Sequence, residues 1–171
     1  MVETSRVGEG IAGLFTGLSR RAVAMGADEP ADDRVLVGVD GSPASVEALR
    51  EGARIAEALG APLEAVIVWA YPAAEFAVGA WDLDEAAASL LDRAIVEAFG
   101  DEPPTIRKRV LAGPTAHTLI VESKRAGMLV LGSRGHGGFA GLRLGSVSAA
   151  CTAHAHCPVL VVRPRSVPAA D

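Results

Sequence analysis

MLVLGSRGHGGFAGLRLGSV, Met128 to Val147, places an aliphatic run, a glycine-rich passage and a helix opening side by side. Met128 to Leu131 reads as a buried strand, and a helical pattern begins at Ser146. Between them Gly132-Ser133-Arg134-Gly135 is followed by nine residues and then Gly145-Ser146. A loop leaving a strand can approach a polyanion closely only where side chains are absent, and its N–H groups then supply fixed partial positive charge. The helix opened by Gly145-Ser146 adds N–H groups that lack intrahelical partners, at the positive end of the macrodipole. The spacing therefore predicts a phosphate cradle built from Gly132, Gly135, Gly145, Ser146 and Val147, with the Ser146 hydroxyl capping the helix or touching the phosphate. Arg134 and His136 stand between the cradle glycines and Arg143 near the far end of the loop. All three are candidates to meet phosphate oxygens, or at least to offset the repulsion between a polyanion and a chain of net charge -5.

Working outward, aliphatic runs alternate with helical patterns. The expected strands are Val35 to Val39, Leu63 to Trp69, Thr105 to Leu111, Met128 to Leu131 and Val159 to Val162. The expected helices are Pro43 to Leu59, Leu83 to Phe99, Pro114 to Arg125 and Ser146 to Ala155. Alternation of this kind means a parallel α/β sheet. In the first helix Val46, Leu49, Ala53, Ala56 and Leu59 form the stripe expected to be buried, while Glu47, Arg50, Glu51, Arg54 and Glu57 take the other side. Ser42-Pro43 and Gly113-Pro114 are expected helix starts with proline in the first helical position, and Gly60 is a stop.

At 171 residues, 50% apolar and 22% charged, the chain suits one domain with an appendage. The acidic balance argues against a general nucleic-acid or anionic-membrane surface, leaving a small molecule or a protein as the expected partner. Cys151 and Cys157 are too few for a disulfide framework and are expected to be reduced thiols in the cytoplasm. Ile11 to Leu18 is too short and wrongly flanked for a signal peptide or a membrane span.

Rival motifs over the same residues fail. Gly135-x-Gly137-x-x-Ala140 matches a dinucleotide fingerprint in form, but that motif belongs to the first strand and needs an acidic residue about 20 positions later. Gly132-x4-Gly137 begins like a P-loop, yet Gly138 stands where lysine is required. Cys151, His154, His156 and Cys157 carry metal-type side chains. Their spacing across a helix end and a strand start favours packing thiols and a helix-terminal histidine over a tetrahedral site.

The spacing G-x2-G-x9-G-[S/T] resembles the nucleotide signature of the universal stress protein family, in its ATP-binding branch. Arg34 to Ser45 is similar to that family's opening strand and turn, and Pro158 to Arg163 to its closing strand. The resemblance implies one doubly wound, parallel five-stranded sheet of order 3-2-1-4-5 over residues 33–165, with helices on both faces and a tail at 166–171. It also implies that Asp40 lies beside the ribose or adenine and that Val68 offers backbone groups to the adenine edge, with Trp69 or Ala70 the alternatives in register. ATP, with Mg2+ or Mn2+ on its phosphates, is the implied ligand. The implied assembly is a homodimer through the strand Val159 to Val162. Ligands of doubly wound sheets sit where the winding reverses, so Asp40 and Gly132 are expected to face one crevice.

The resemblance leaves residues 1–32 unexplained. Ile11, Leu14, Phe15, Leu18, Ala22 and Met25 repeat with helical period, so residues 10–25 form either an amphipathic docking helix or part of a disordered leader. Gly8, Gly10, Gly13 and Gly17 oppose a free-standing helix. Docking on this domain, on its dimer mate or on another protein are the alternatives, and Gly13 to Arg21 is similar to an encapsulin cargo-targeting peptide. The expected function is ATP binding in a regulatory stress-response protein. The alternatives are an adenylating or slowly ATP-hydrolysing enzyme and a nucleotide-free adaptor. Val39 to Pro43 lacks the Ser-Gly-Gly loop of related ATP pyrophosphatases.

Overall fold

Nine elements of regular structure and one short 3-10 turn follow one another in a computed structural model that describes residues 32–70, 80–135 and 144–164. They are β1 (Asp32–Val39), α1 (Pro43–Leu59), β2 (Leu63–Trp69), α2 (Ala80–Phe99), β3 (Ile106–Ala112), α3 (Thr115–Glu122) continued by the 3-10 turn Ser123–Arg125, β4 (Ala126–Gly132), α4 (Ser146–His154) and β5 (Val159–Val162). The strands form one parallel sheet of order β3-β2-β1-β4-β5, as the resemblance implied. The docking helix expected at 10–25, the tail at 166–171, and His136 and Arg143 lie outside the described residues.

Both sheet faces are covered, which is why the central strands read as continuous aliphatic runs. On one face Val35, Val37 and Val39 of β1 and Leu63, Ala65 and Ile67 of β2 pack with Val46 and Leu49 of α1 and Leu91 and Ile95 of α2. On the other, Leu36, Val66, Leu129 and Leu131 pack with Leu119 of α3 and Cys151 of α4. Ser42 caps α1, its side chain accepting from the Ser45 N–H, and Pro43 occupies the first turn. Gly60 ends that helix in the left-handed conformation, at φ 62°.

Several expectations need correction. Leu59 is 65% exposed rather than buried. As the last residue of α1 it precedes the reversing turn and reaches past the sheet. Pro114 is the extended N-cap of α3, not its first residue. The final turn of α3 tightens to 3-10 geometry, and β4 starts at Ala126, two residues before its aliphatic core. α2 starts at Ala80, ahead of Leu83, and α4 ends at His154. Apart from that of Leu59, each is a shift of an element's end, where local pattern is weakest.

Candidate functional site

Where β1 ends, the chain turns through Asp40-Gly41-Ser42 into α1. Gly41 has φ 79°, a value that L side chains rarely adopt. Asp40 Oδ1 accepts the Ser42 N–H at 3.0 Å and the Ser42 hydroxyl at 2.6 Å, closing an Asx turn. The Asp40 N–H donates to Ser45 Oγ at 3.4 Å, and the Ser45 hydroxyl donates to the Ser42 carbonyl at 2.9 Å. The short polar residues of this turn thus hold one another, leaving Asp40 exposed.

β4 ends beside this turn. A Cβ on Gly132 would lie 2.7 Å from the Ala44 carbonyl carbon and 2.9 Å from the Ser45 nitrogen, so only glycine lets β4 pass the start of α1. A Cβ on Gly135 would collide with Asp40 Oδ2. The Ser42 hydroxyl also lies 3.3 Å from the Arg134 carbonyl oxygen, tying the two turns together. On the far side the Ser133 N–H donates to the Val162 carbonyl at 2.6 Å and the Gly145 N–H to the Ser133 carbonyl at 2.8 Å. The Ser148 hydroxyl donates to the Gly132 carbonyl at 2.7 Å. The first bond ties the end of β4 to β5, and the other two hold the start of α4 against the end of β4.

Gly145 is different. Its backbone is extended, φ -72° and ψ 161°, which any residue adopts. Among the described residues a Cβ there would find nothing nearer than 3.6 Å, an ordinary van der Waals contact. Neither backbone strain nor packing against the described residues asks for glycine at this position. It is the N-cap of α4, with no side-chain cap bond, so the Ser146 hydroxyl is not a cap. The first bond of that helix runs from the Ala149 N–H to the Gly145 carbonyl at 2.9 Å. The N–H groups of Ser146, Val147 and Ser148 precede it and have no intrahelical acceptor.

A cavity of about 230 Å³ opens between these turns. Asp40, Val68, Gly132, Arg134, Gly135, Gly145, Ser146 and Val147 all line it, so every candidate site residue within the described part of the chain reaches one crevice. Sequence reasoning missed Ser42, Ser45, Thr115, Leu119 and Ser148, which also line it. Ser42 was read as a helix start, and the same short polar side chain that caps a helix can face a crevice. Thr115 and Leu119 carried no signal, since α3 reaches the cavity only through the packing of β2 beside β1. Val68 has a further property. The Pro62 carbonyl accepts the Val35 N–H of β1, and the Trp69 carbonyl accepts the Gly113 N–H on the β3 side. Carbonyls alternate along a strand, so that of Val68 points toward β1. The paired register of β1 ends at Val39 opposite Ile67, and the Val68 carbonyl projects past it.

Arg134 and Asp40 are the ionisable side chains among the described lining residues. Among the described residues there is no group of three or more His, Cys, Asp or Glu suited to a metal ion. Burial pushes the Cys151 thiol up to about 11, with the neighbouring Cys157 adding to the shift, and burial also raises Cys157. Both are therefore neutral packing thiols at physiological pH.

The two glycines at the ends of the cradle should separate in stability measurements. Gly132→Ala forces backbone against backbone and should lower unfolding free energy by about 1–3 kcal/mol. Gly145→Ala makes only ordinary van der Waals contacts with the described residues at an ordinary φ and should stay within about 0.5 kcal/mol of the parent. Urea denaturation of both variants measures the difference, and equal losses would show that Gly145 is there for packing.

Comparison with known proteins agrees with this architecture. The family model for the universal stress protein family matches residues 33–163. A universal stress protein of Mycolicibacterium smegmatis is 36% identical over 149 residues, covering 84% of this chain and 51% of the relative. One from Mycobacterium tuberculosis is 34% identical over 139 residues, covering 75% of this chain and 46% of the relative. The chain thus spans about half the length of the curated relatives it matches. Among solved structures, a universal stress protein in complex with cAMP superposes with a TM-score of 0.60 at 28% identity, covering 79% of this chain and 99% of that one. UspA from Lactobacillus plantarum does so with a TM-score of 0.57 at 26% identity, covering 79% and 100%. Sheet order, crevice and sequence agree, and the chain belongs to the universal stress protein family.

Proposed function

We propose that this chain is an ATP-binding regulatory protein that holds adenine nucleotide in the crevice between β1 and β4. The observation that carries the reading is Gly145, a glycine that neither backbone conformation nor packing against the described residues requires, at the head of a helix whose first N–H groups have no intrahelical acceptor. An anion seated against those N–H groups explains both features, since a side chain would keep it away from them. The solved family member in complex with cAMP supports adenine nucleotide as the ligand class.

In this reading the phosphates lie against Ser146, Val147 and Ser148, with Gly132, Gly135 and Gly145 giving access. Arg134, and His136 and Arg143 in the same loop, offset the phosphate charge. Asp40 keeps Oδ1 on Ser42 and turns Oδ2 to the ribose hydroxyls, because a carboxylate accepts hydrogen bonds and would repel a phosphate. The Val68 carbonyl accepts from the adenine amino group, a donor that guanine lacks at that position. Val66, Leu119 and Leu131 line the crevice as apolar walls for the base. Mg2+ or Mn2+ would ride on the phosphates.

Binding is better supported than turnover. Phosphoryl transfer needs a group that positions the acceptor and another that stabilises charge in the transition state. Arg134 could serve the second role. Asp40 is the one carboxylate among the described lining residues, and one of its oxygens is already engaged by Ser42. Gly145→Val should weaken ATP binding about 100-fold in calorimetry while the melting curve stays that of a folded protein. Parent affinity in a folded variant would remove the cradle from the account.

We infer also that β5 pairs with β5 of a second copy. It is the last strand of the sheet, and all four of its residues are half-buried rather than covered. An unpaired aliphatic edge of this kind invites strand addition, and a two-fold contact between like edges closes on itself. Val161→Pro should give monomer or precipitate in light scattering, and an unchanged dimer would place the interface elsewhere.

A further inference from the structure

The hydrogen bonds the protein makes within itself limit what is left to read a base in the crevice. The Val35 N–H donates to the Pro62 carbonyl at 2.8 Å, and the parallel register carries that phase along to Val39 opposite Ile67. In that phase the Val68 N–H is spent on the Val39 carbonyl, while the Val68 carbonyl passes beyond the paired strand. Val68 can therefore accept from the adenine amino group but has no donor to give. Adenine carries a ring nitrogen on either side of that amino group, N1 and N7, and each only accepts hydrogen bonds. An acceptor taken out of water without a donor costs affinity.

The hydroxyl side chains lining the crevice among the described residues are Ser42, Ser45, Thr115, Ser146 and Ser148. Three of them are already spent as donors. Ser42 donates to Asp40 Oδ1 at 2.6 Å, Ser45 to the Ser42 carbonyl at 2.9 Å and Ser148 to the Gly132 carbonyl at 2.7 Å. Ser146 heads α4, at the phosphate end. The Thr115 hydroxyl makes no hydrogen bond with any described residue.

The fold brings that hydroxyl to the end of β2. The Gly113 N–H donates to the Trp69 carbonyl at 2.8 Å, which pins the turn after β3 to the residue that follows Val68. Gly113 has φ 143°, a value that L side chains rarely adopt, and α3 begins at Thr115, after Pro114. Thr115 and Leu119 stand one helical turn apart on one face of α3, and both line the crevice. That face lies over β1, since Leu119 Cδ1 is 3.4 Å from where a Cβ would stand on Gly38. Leu119 thus supplies apolar wall, and Thr115, one turn earlier, supplies a donor.

We propose that Thr115 is a specificity-determining residue whose hydroxyl donates to an adenine ring nitrogen, N1 or N7, beside the amino group held by the Val68 carbonyl. The inference rests on the reading of the crevice as an adenine-nucleotide site. An acceptor from β2 and a donor from α3 then read two neighbouring groups of the base, where the carbonyl alone reads one.

Titration calorimetry on the full chain, with ATP and with its 1-deaza and 7-deaza analogues, tests this, because each analogue has C–H in place of one ring nitrogen. Thr115→Val keeps the branched shape and removes the donor. It should weaken ATP binding about ten-fold, and Thr115→Ser should restore most of the loss. One of the two analogues should bind the parent about ten-fold more weakly than ATP does, and Thr115→Val should weaken that analogue no further. Parent affinity for ATP in Thr115→Val, or a loss that recurs in full on both analogues, would overturn the role of Thr115 while leaving the nucleotide site in place. A parent chain that binds no adenine nucleotide would instead overturn the reading of the crevice, and the role of Thr115 with it.

Discussion

Everything at the functional end of this molecule depends on two neighbouring strands whose chains must leave in opposite directions. β1 feeds α1 on one face of the sheet and β4 feeds α4 on the other, so two turns leave side by side from adjacent carboxyl ends. They fit only because side chains are missing where they touch. Gly132 passes the backbone of Ala44 and Ser45, and Gly135 passes the Asp40 carboxylate. The same divergence that demands close contact at the base of the turns opens a crevice above them. Steric necessity and binding space thus come from one topological fact.

The opposite end of the α3 and α4 face is closed by charge. Arg34 of β1 and Glu64 of β2, with side chains 4% and 2% exposed, lie 3.4 Å apart. Arg109 of β3 reaches Glu64 at 3.0 Å and Glu122 of α3 at 2.6 Å, and Arg34 also donates to the Arg125 carbonyl at 2.9 Å. Burial alone would lower the Arg109 pKa, but its hydrogen bonds to Glu122 and Glu64 outweigh that and leave it raised. A buried ionic cluster of this kind is a weak source of net stability, since desolvation offsets most of the attraction. Removing one member is nevertheless costly, at about 3–5 kcal/mol. Its structural effect is to join three strands and α3 in one register, so that the apolar layer between cluster and crevice has fixed walls.

Much of this was legible in the residues. The alternation of aliphatic runs and helical stripes determined the class of fold, and α1, β2 and β5 fall where their patterns put them. The strand order came from resemblance, because periodicity carries no information about which strand neighbours which. Leu59 shows the limit of the stripe argument: it has the right phase on α1 but lies beyond the end of the surface that buries its neighbours. The crevice was readable from Asp40 and the glycine spacing, whereas Thr115 and Leu119 reach it by long-range packing alone. The ionic cluster went unread. Its signal was present as Glu64 inside an otherwise aliphatic strand and Arg107 to Arg109 in another, charges at positions where a covered sheet tolerates them only in pairs.

The central claim is that the cradle at the head of α4 holds the phosphates of an adenine nucleotide. The most direct test is to denature freshly purified, desalted protein and identify what it releases by mass spectrometry, with Gly145→Val prepared in parallel. The account predicts ATP or another adenine nucleotide from the parent, approaching one per chain, and little from the variant. Release of no nucleotide, of one lacking adenine, or of equal amounts from both proteins would contradict it.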